Sequence, residues 1–200
     1  MTSMIETKRL YLRQWQASDL ARFAEVNADP EVMAYFPKLL TPALSNTIKL
    51  LTPALSNTIA NKCQKLIEEH GWGFWAVARK DGADKSDDFI GMVGLNNVHD
   101  EMPFAPAVEI AWRLYKDYWE LGYATEAARA ALDFAFTELA LEDVVSFTAV
   151  INQRSQLIMQ RIGMTDTQDN FPHPMLDADH RLAEHVLYKI TRQEWQALSV

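Results

Sequence analysis

Alternation of apolar and polar positions with period two marks residues 9–15 (RLYLRQW) as a strand; residues 73–79 (GFWAVAR), rich in aromatic and β-branched residues, and 107–114 (AVEIAWRL) read as strands too. Residues 89–98 (FIGMVGLNNV) form a further strand, joined to 73–79 by the polar turn 80–88, so that the two read as a hairpin. Residues 143–150 (DVVSFTAV) are almost continuously apolar, the pattern of a strand covered on both faces. A short strand over 164–167 and a last one over 185–190 (HVLYKI) complete a set of about seven, with a proline-containing loop at 171–180 between them. Helical spacing appears over 20–28, capped by Ser18 or Asp19 and stopped before Asp29-Pro30. It recurs over 53–69, over the alanine-rich 124–139, over 154–162 ahead of Gly163, and in a final turn or two at 191–198. Antiparallel hairpins come early and a βαβ-type crossover late, which predicts one mixed α/β domain over residues 1–200.

One segment breaks this regularity. Residues 38–48 (KLLTPALSNTI) are followed at once by the identical residues 49–59. Two copies of so short a unit do not make a solenoid, which needs at least three longer repeats. Each copy carries its own helix start, Thr41-Pro42 and Thr52-Pro53, with a capping hydroxyl before a proline suited to the first helical position. Thr52 is disfavoured in the α conformation because proline follows it, so the region is expected to form two helical pieces broken near 51–53.

Composition narrows the function classes. A formal net charge of −8 argues against nucleic acid, whose phosphates call for a basic surface. An acidic protein draws cations, amines among them. The single cysteine, Cys63, excludes an internal disulfide and a cysteine-rich metal site. No apolar run approaches the ~20 residues of a membrane helix, and the N-terminal residues lack the apolar stretch of a signal peptide. A cytoplasmic protein is expected, with no metal and no membrane or nucleic-acid partner.

The chemistry-bearing segment is a strand, a tight turn and a helix over 108–136. A glycine-bearing turn that opens a helix presents unpaired N–H groups and the positive helix end to an anion. Gly122 and the small Ala124 leave room for such a group, although a lone glycine turn is a common loop device. Its surroundings are more specific. Residues 118–127 (YWELGYATEA) resemble the W-G-x-G-Y-A-T-E-A pyrophosphate loop of the RimJ/RimL-like branch of GNAT acetyltransferases. Residues 152–164 (NQRSQLIMQRIGM) resemble that branch's second motif, N-x-x-S followed by a helix and a glycine. Residues 5–15, 29–37 and 71–78 are similar to its opening strand, its D-P-E-V-M-x-Y segment and its G-x-G-F-W-A-V strand, in the family's order. Two departures stand out: Glu120 replaces the loop's first glycine, and the duplicated segment falls where the family's first two helices wall the acceptor site.

The resemblance implies a GNAT fold, a mixed sheet flanked by helices, with acetyl-CoA as cosubstrate and transfer to a primary amine by direct attack in a ternary complex. It implies that Ile110, Ala111, Trp112 and Leu114 serve the pantetheine arm, that the N–H groups of Leu121, Gly122, Tyr123, Ala124 and Thr125 cradle the pyrophosphate, and that Asn152 and Ser155 hydrogen-bond the cofactor. The expected general base is Glu109, with His173, His180 and His185 as the second choice. Tyr188 is a candidate acid for the leaving thiolate. Tyr35, Phe36, Trp75 and Phe104 are expected in the acceptor wall. Acceptors in this branch include protein N-termini and small molecules, and the oligomeric expectation is a monomer or homodimer. The competing reading is an acyl-CoA-binding regulatory module without turnover, which Glu120 and the duplication favour.

Overall fold

A computed structural model describes residues 4–36, 51–80 and 88–198. The nine strands are β1 (Ile5–Glu6), β2 (Leu10–Arg13), β3 (Phe74–Arg79), β4 (Asp88–Asn97), β5 (Val108–Leu114), β6 (Asp143–Ala149), β7 (Thr165–Asp166), β8 (Phe171–Pro172) and β9 (Glu184–Thr191). They form one sheet in the order β1-β2-β3-β4-β5-β6-β9-β7, with β8 paired to β9. Every described pairing is antiparallel except β5 with β6. The two strands beyond the expected seven, β1 and β8, have two residues each. Two residues are too few for any periodicity, and β8 falls inside the expected proline loop.

Among the described residues five helices flank the sheet: α1 (Asp19–Ala28), α2 (Pro53–His70), α3 (Tyr123–Thr137), α4 (Gln153–Arg161) and α5 (Arg192–Leu198). Helices α1 and α2 pack on each other and against β3 and β4, while α3 lies against β4 and β5. Neighbouring residues on a strand point to opposite faces. Trp75 and Ala76 are both fully buried, so β3 is covered on both sides. Trp15, Phe23 and Phe89 form an aromatic cluster in the core, and Trp75 meets Phe134 of α3 edge to face at 5.3 Å.

Local signals explain most helix ends. The Thr52 hydroxyl accepts from the Leu55 N–H at 3.3 Å, Pro53 takes the first helical position, and Gly71 closes α2 in the left-handed region. At α1 Ser18 occupies the cap position but makes no capping bond. Asp19 instead accepts from the Gln16 N–H and holds the Arg13 guanidinium through two bonds, at 2.8 and 3.0 Å, in a buried pair.

The second copy of the duplicated segment thus supplies the start of α2. Its Ser56 is fully buried and accepts from the Asn27 side chain at 3.1 Å. The first copy, and the helical piece expected there, lie outside the described residues. Deleting either copy leaves the same chain, one that keeps every residue that makes the contacts just described. Removal of Lys38–Ile48 is expected to leave the melting temperature within a few degrees of the parent. A variant that fails to fold, or melts far lower, would show that both copies are built into the core.

Candidate active site

The site follows from a failure of pairing. Strands β5 and β6 run parallel and are in register at one position, Glu109 opposite Val145. The Ser146 hydroxyl reinforces the joint by donating to the Ile110 carbonyl at 2.9 Å. Beyond it the strands part, and a cavity of about 500 Å³ opens between them. Backbone groups alternate edges along a strand, so those of Trp112 and Leu114 face the same way as the Ile110 carbonyl, toward the parting. Trp119 Nε1 donates to the Leu114 carbonyl at 3.0 Å, whereas Trp112 has no strand opposite it.

At one end of the cavity, a helical turn (Lys116–Tyr118) leads into residues 119–125 and α3. Glu120 has φ +61° and Gly122 φ +82°, so the chain enters the left-handed region twice within three residues. Glycine tolerates this freely; a glutamate there costs about 1 kcal/mol. The first helical bond runs from the Glu126 N–H to the Gly122 carbonyl. The N–H groups of Tyr123, Ala124 and Thr125 therefore lack helical acceptors, and no side chain caps them. They point with the helix dipole toward any anion placed there.

Two residues unremarked in the sequence clamp this turn. Arg9 donates to the Leu121 carbonyl at 3.0 Å and to Glu126 at 2.6 Å, and its guanidinium stacks 4.4 Å from the Tyr123 ring. Thr7 adds a bond to the same Glu126 carboxylate, which these partners hold below the usual range against the opposing effect of burial. The partners lie more than a hundred residues apart in sequence, beyond the reach of any local signal. Across the cavity, Asn152 caps α4 by accepting from the Ser155 N–H at 3.4 Å, and it donates to Thr148 at 2.9 Å. Arg154, stacked 4.8 Å over Trp119, and Arg161 also line this end, and both carry positive charge toward it.

Glu109 lies toward the other end, and Tyr35, Phe36, Arg113, His173 and His185 also line the cavity. Glu109 accepts from Asn96 at 3.2 Å, and burial pushes its carboxyl up to about 7, the range of a usable base. The two histidine rings lie 4.8 Å apart. Burial lowers both, His185 to about 4, so they are neutral imidazoles at pH 7.

Of the expected cofactor residues, Ala111, Trp112, Leu114, Gly122, Tyr123, Ala124, Thr125, Asn152 and Ser155 line the cavity. Ile110 is fully buried beneath it, and Leu121 is exposed with its carbonyl turned to Arg9. Of the residues expected in the acceptor wall, Tyr35 and Phe36 line the cavity and Trp75 and Phe104 do not. Trp75 points into the core against α3, and Phe104 packs on Phe147 and Phe171 in a second small cluster. Strand alternation places an aromatic on a face without saying which face holds a cavity. His180 accepts from the Leu182 N–H in a turn away from the cavity. Tyr188 is buried, with its hydroxyl accepting from Gln160 at 3.1 Å outside the cavity lining. Neither the hydroxyl of Tyr188 nor the ring of His180 is placed to exchange a proton there.

Among the described residues, no helix is long and apolar enough to cross a membrane, and no group of three or more His, Cys, Asp or Glu side chains gathers. Residues 9–165 match the family described as an acetyltransferase (GNAT) domain. Over 198 residues the chain is 25% identical to an uncharacterised N-acetyltransferase of Bacillus subtilis (strain 168), YnaD, covering 96% of this chain and 98% of that one. The fold matches that of a ribosomal-protein-S5-alanine acetyltransferase from Vibrio fischeri with a TM-score of 0.70 at 18% identity, covering 96% of this chain and 98% of that chain. It also matches a spermidine N-acetyltransferase from Vibrio cholerae, solved with CoA and spermine, with a TM-score of 0.66 at 18% identity, over 95% and 99% of the two chains.

Proposed function

We propose, from the premise that the chain belongs to the GNAT family of acetyltransferases, that it acetylates a primary amine by direct attack of the amine on acetyl-CoA within a ternary complex. One observation carries this reading: the uncapped start of α3 and the Glu109 carboxyl open onto the same cavity, one at each end. The residues present fit the cosubstrate. The free N–H groups of 123–125, with Arg154 and Arg161, suit a pyrophosphate, and the parted edge of β5 suits an amide-bearing arm. Acetyl-CoA supplies an acyl group already activated as a thioester.

The chain's own groups do the rest. An ammonium has no lone pair, so Glu109, ionised, accepts a proton from the incoming amine, directly or through one water. The Trp112 N–H, facing the cavity, stabilises negative charge that develops on the carbonyl oxygen as the bond forms. The acceptor belongs to the RimJ/RimL-like range, a protein N-terminus or a small molecule. The ribosomal-protein acetyltransferase among the fold matches supports that range.

Glu120 favours a second reading, an acyl-CoA-binding module without turnover, because it puts a carboxylate into the anion-binding turn. Two measurements separate these readings. Acetyl-CoA at about 100 times its dissociation constant should stabilise the protein by ~2.7 kcal/mol, several degrees of melting temperature. Release of CoA thiol with a panel of amines then tests transfer. A melting shift without release for any amine supports the module, and no shift at all rejects both.

A further inference from the structure

Arg113 lines the cavity, on the same face of β5 as Glu109 and Ala111. Its Nη1 donates to Asn27 at 2.5 Å, and its guanidinium carbon sits 3.9 Å from the centre of the Phe36 ring. Its Nε is buried with no hydrogen-bond partner, and its Nη2 makes no bond among the described residues. No described carboxylate stands within ion-pair distance of it. The nearby Cys63 thiol, pushed up to about 11 by burial, is neutral and supplies no counter-charge. Residues 37–50 contain neither Asp nor Glu.

A desolvated cation without an anion is costly, and an orphaned buried N–H adds to the cost. Burial lowers Arg113 only to about 10, so it stays charged at neutral pH. The geometry is selective about what could relieve this. Phe36 covers one face of the guanidinium and Asn27 takes Nη1, which leaves the Nε–Nη2 edge. Those two parallel N–H groups form the fork that a carboxylate accepts through both oxygens.

We propose that Arg113 is the recognition site for a carboxylate on the acceptor, so that the amine acetylated by this protein belongs to an amino acid or another anionic amine rather than to a polyamine. The proposal rests on the transfer reading above and deepens it. It also reverses the inference from net charge. The −8 field favours cations at long range, but a contact partner in a desolvated wall decides what is held. Glu109 and Arg113 are four residues apart on one strand, with Cα atoms about 13 Å apart, so acceptors of several chain lengths need trial.

The test pairs each amino acid with its own carboxamide: glycine, β-alanine, 6-aminohexanoate and lysine against glycinamide, β-alaninamide, 6-aminohexanamide and lysinamide. In the longer pairs the change leaves the amine's basicity nearly unaltered. For at least one pair, KM in the CoA-release assay should be tenfold or more lower for the acid, and spermidine should be a poor acceptor. Arg113→Gln should bring the pair within about twofold while the dissociation constant for acetyl-CoA is unchanged. Equal KM values for every pair, a preference surviving in Arg113→Gln, or spermidine exceeding every acid would overturn the proposal. The parent protein's own acid-against-amide ratio decides the matter if the variant does not fold. Calorimetric titration of the CoA-loaded parent with the same pairs needs no turnover. If no amine releases CoA, the transfer reading falls, and the titration still judges the carboxylate site by whether acids bind tighter than amides.

Discussion

Glu109→Gln is expected to lower kcat by ~10²–10⁴-fold, the usual worth of a positioned general base, and to leave acetyl-CoA affinity within about twofold. The substitution keeps the shape and the acceptor for Asn96, and it removes only the capacity to take a proton. With the carboxyl near 7, the parent rate should climb as pH rises through about 7 and level off above it, because the ionised form is the working one. The stability dependence has the opposite sign. A carboxyl raised in the folded state above its unfolded value of 4.5 prefers to be protonated there. Its favourable contribution is complete below about 4.5 and is lost as pH rises through about 7. At pH 8 the glutamine variant escapes the penalty of a desolvated anion, and a gain on the order of 1–2 kcal/mol should appear as a higher melting temperature. The gain in stability follows from burial alone, whatever the role; the lost rate is the signature of a base, since a carboxylate serving only as a structural acceptor would leave kcat unchanged. An unchanged kcat, or a rate independent of pH between 6 and 8, would remove Glu109 from the reaction.

Gly122→Asp should weaken acetyl-CoA binding by about 100-fold, equivalent to the loss of one or two charge-assisted hydrogen bonds, while the protein still folds. The left-handed backbone at φ +82° costs an aspartate about 1 kcal/mol. The added Cβ meets only the Arg9 guanidinium, at 3.4 Å, and an acidic group at the start of a helix regains several tenths of that. The new charge, however, sits at the mouth of the N–H groups of 123–125. Glu120→Gly should do the converse, tightening acetyl-CoA several-fold by withdrawing a carboxylate from the cavity, while relief of the strained φ +61° adds to stability rather than to affinity. Calorimetric titration with acetyl-CoA reads both variants. Equal affinities across the parent and the two variants would place the pyrophosphate site elsewhere.

Much of this arrangement could be read from residue patterns because its signals are local. Thr52-Pro53 and Gly71 bound α2, the alanine-rich run makes α3, and the Gly122 turn directly precedes the helix whose N–H groups it frees. What escaped was set by partners distant in sequence. Arg9 meets Glu126 only because β2 begins beside α3. Trp75 and Trp112 look alike on their strands, yet one faces helix α3 in the core and the other lines a cavity, a choice made by the layers above them. Arg113 carried a usable clue: a charged residue four positions after Glu109 on one strand must share its face, and two opposite charges on a covered face call for an explanation. Its isolation from any carboxylate is visible only once α1 and Phe36 are in place.

The single register contact between β5 and β6 also has a mechanical meaning. A sheet transmits load across its width through its rows of backbone bonds, and at this seam the row is nearly absent. Stiffness between the β1–β5 half and the β6–β9 half falls instead to α3, which touches both sides of the joint, to the Ser146 bond and to the Phe104–Phe147–Phe171 cluster. A molecule that fills the parting and bonds to both strands becomes a member of the frame, bracing the halves it lies between. Its departure hands the load back to α3 and these few side-chain contacts.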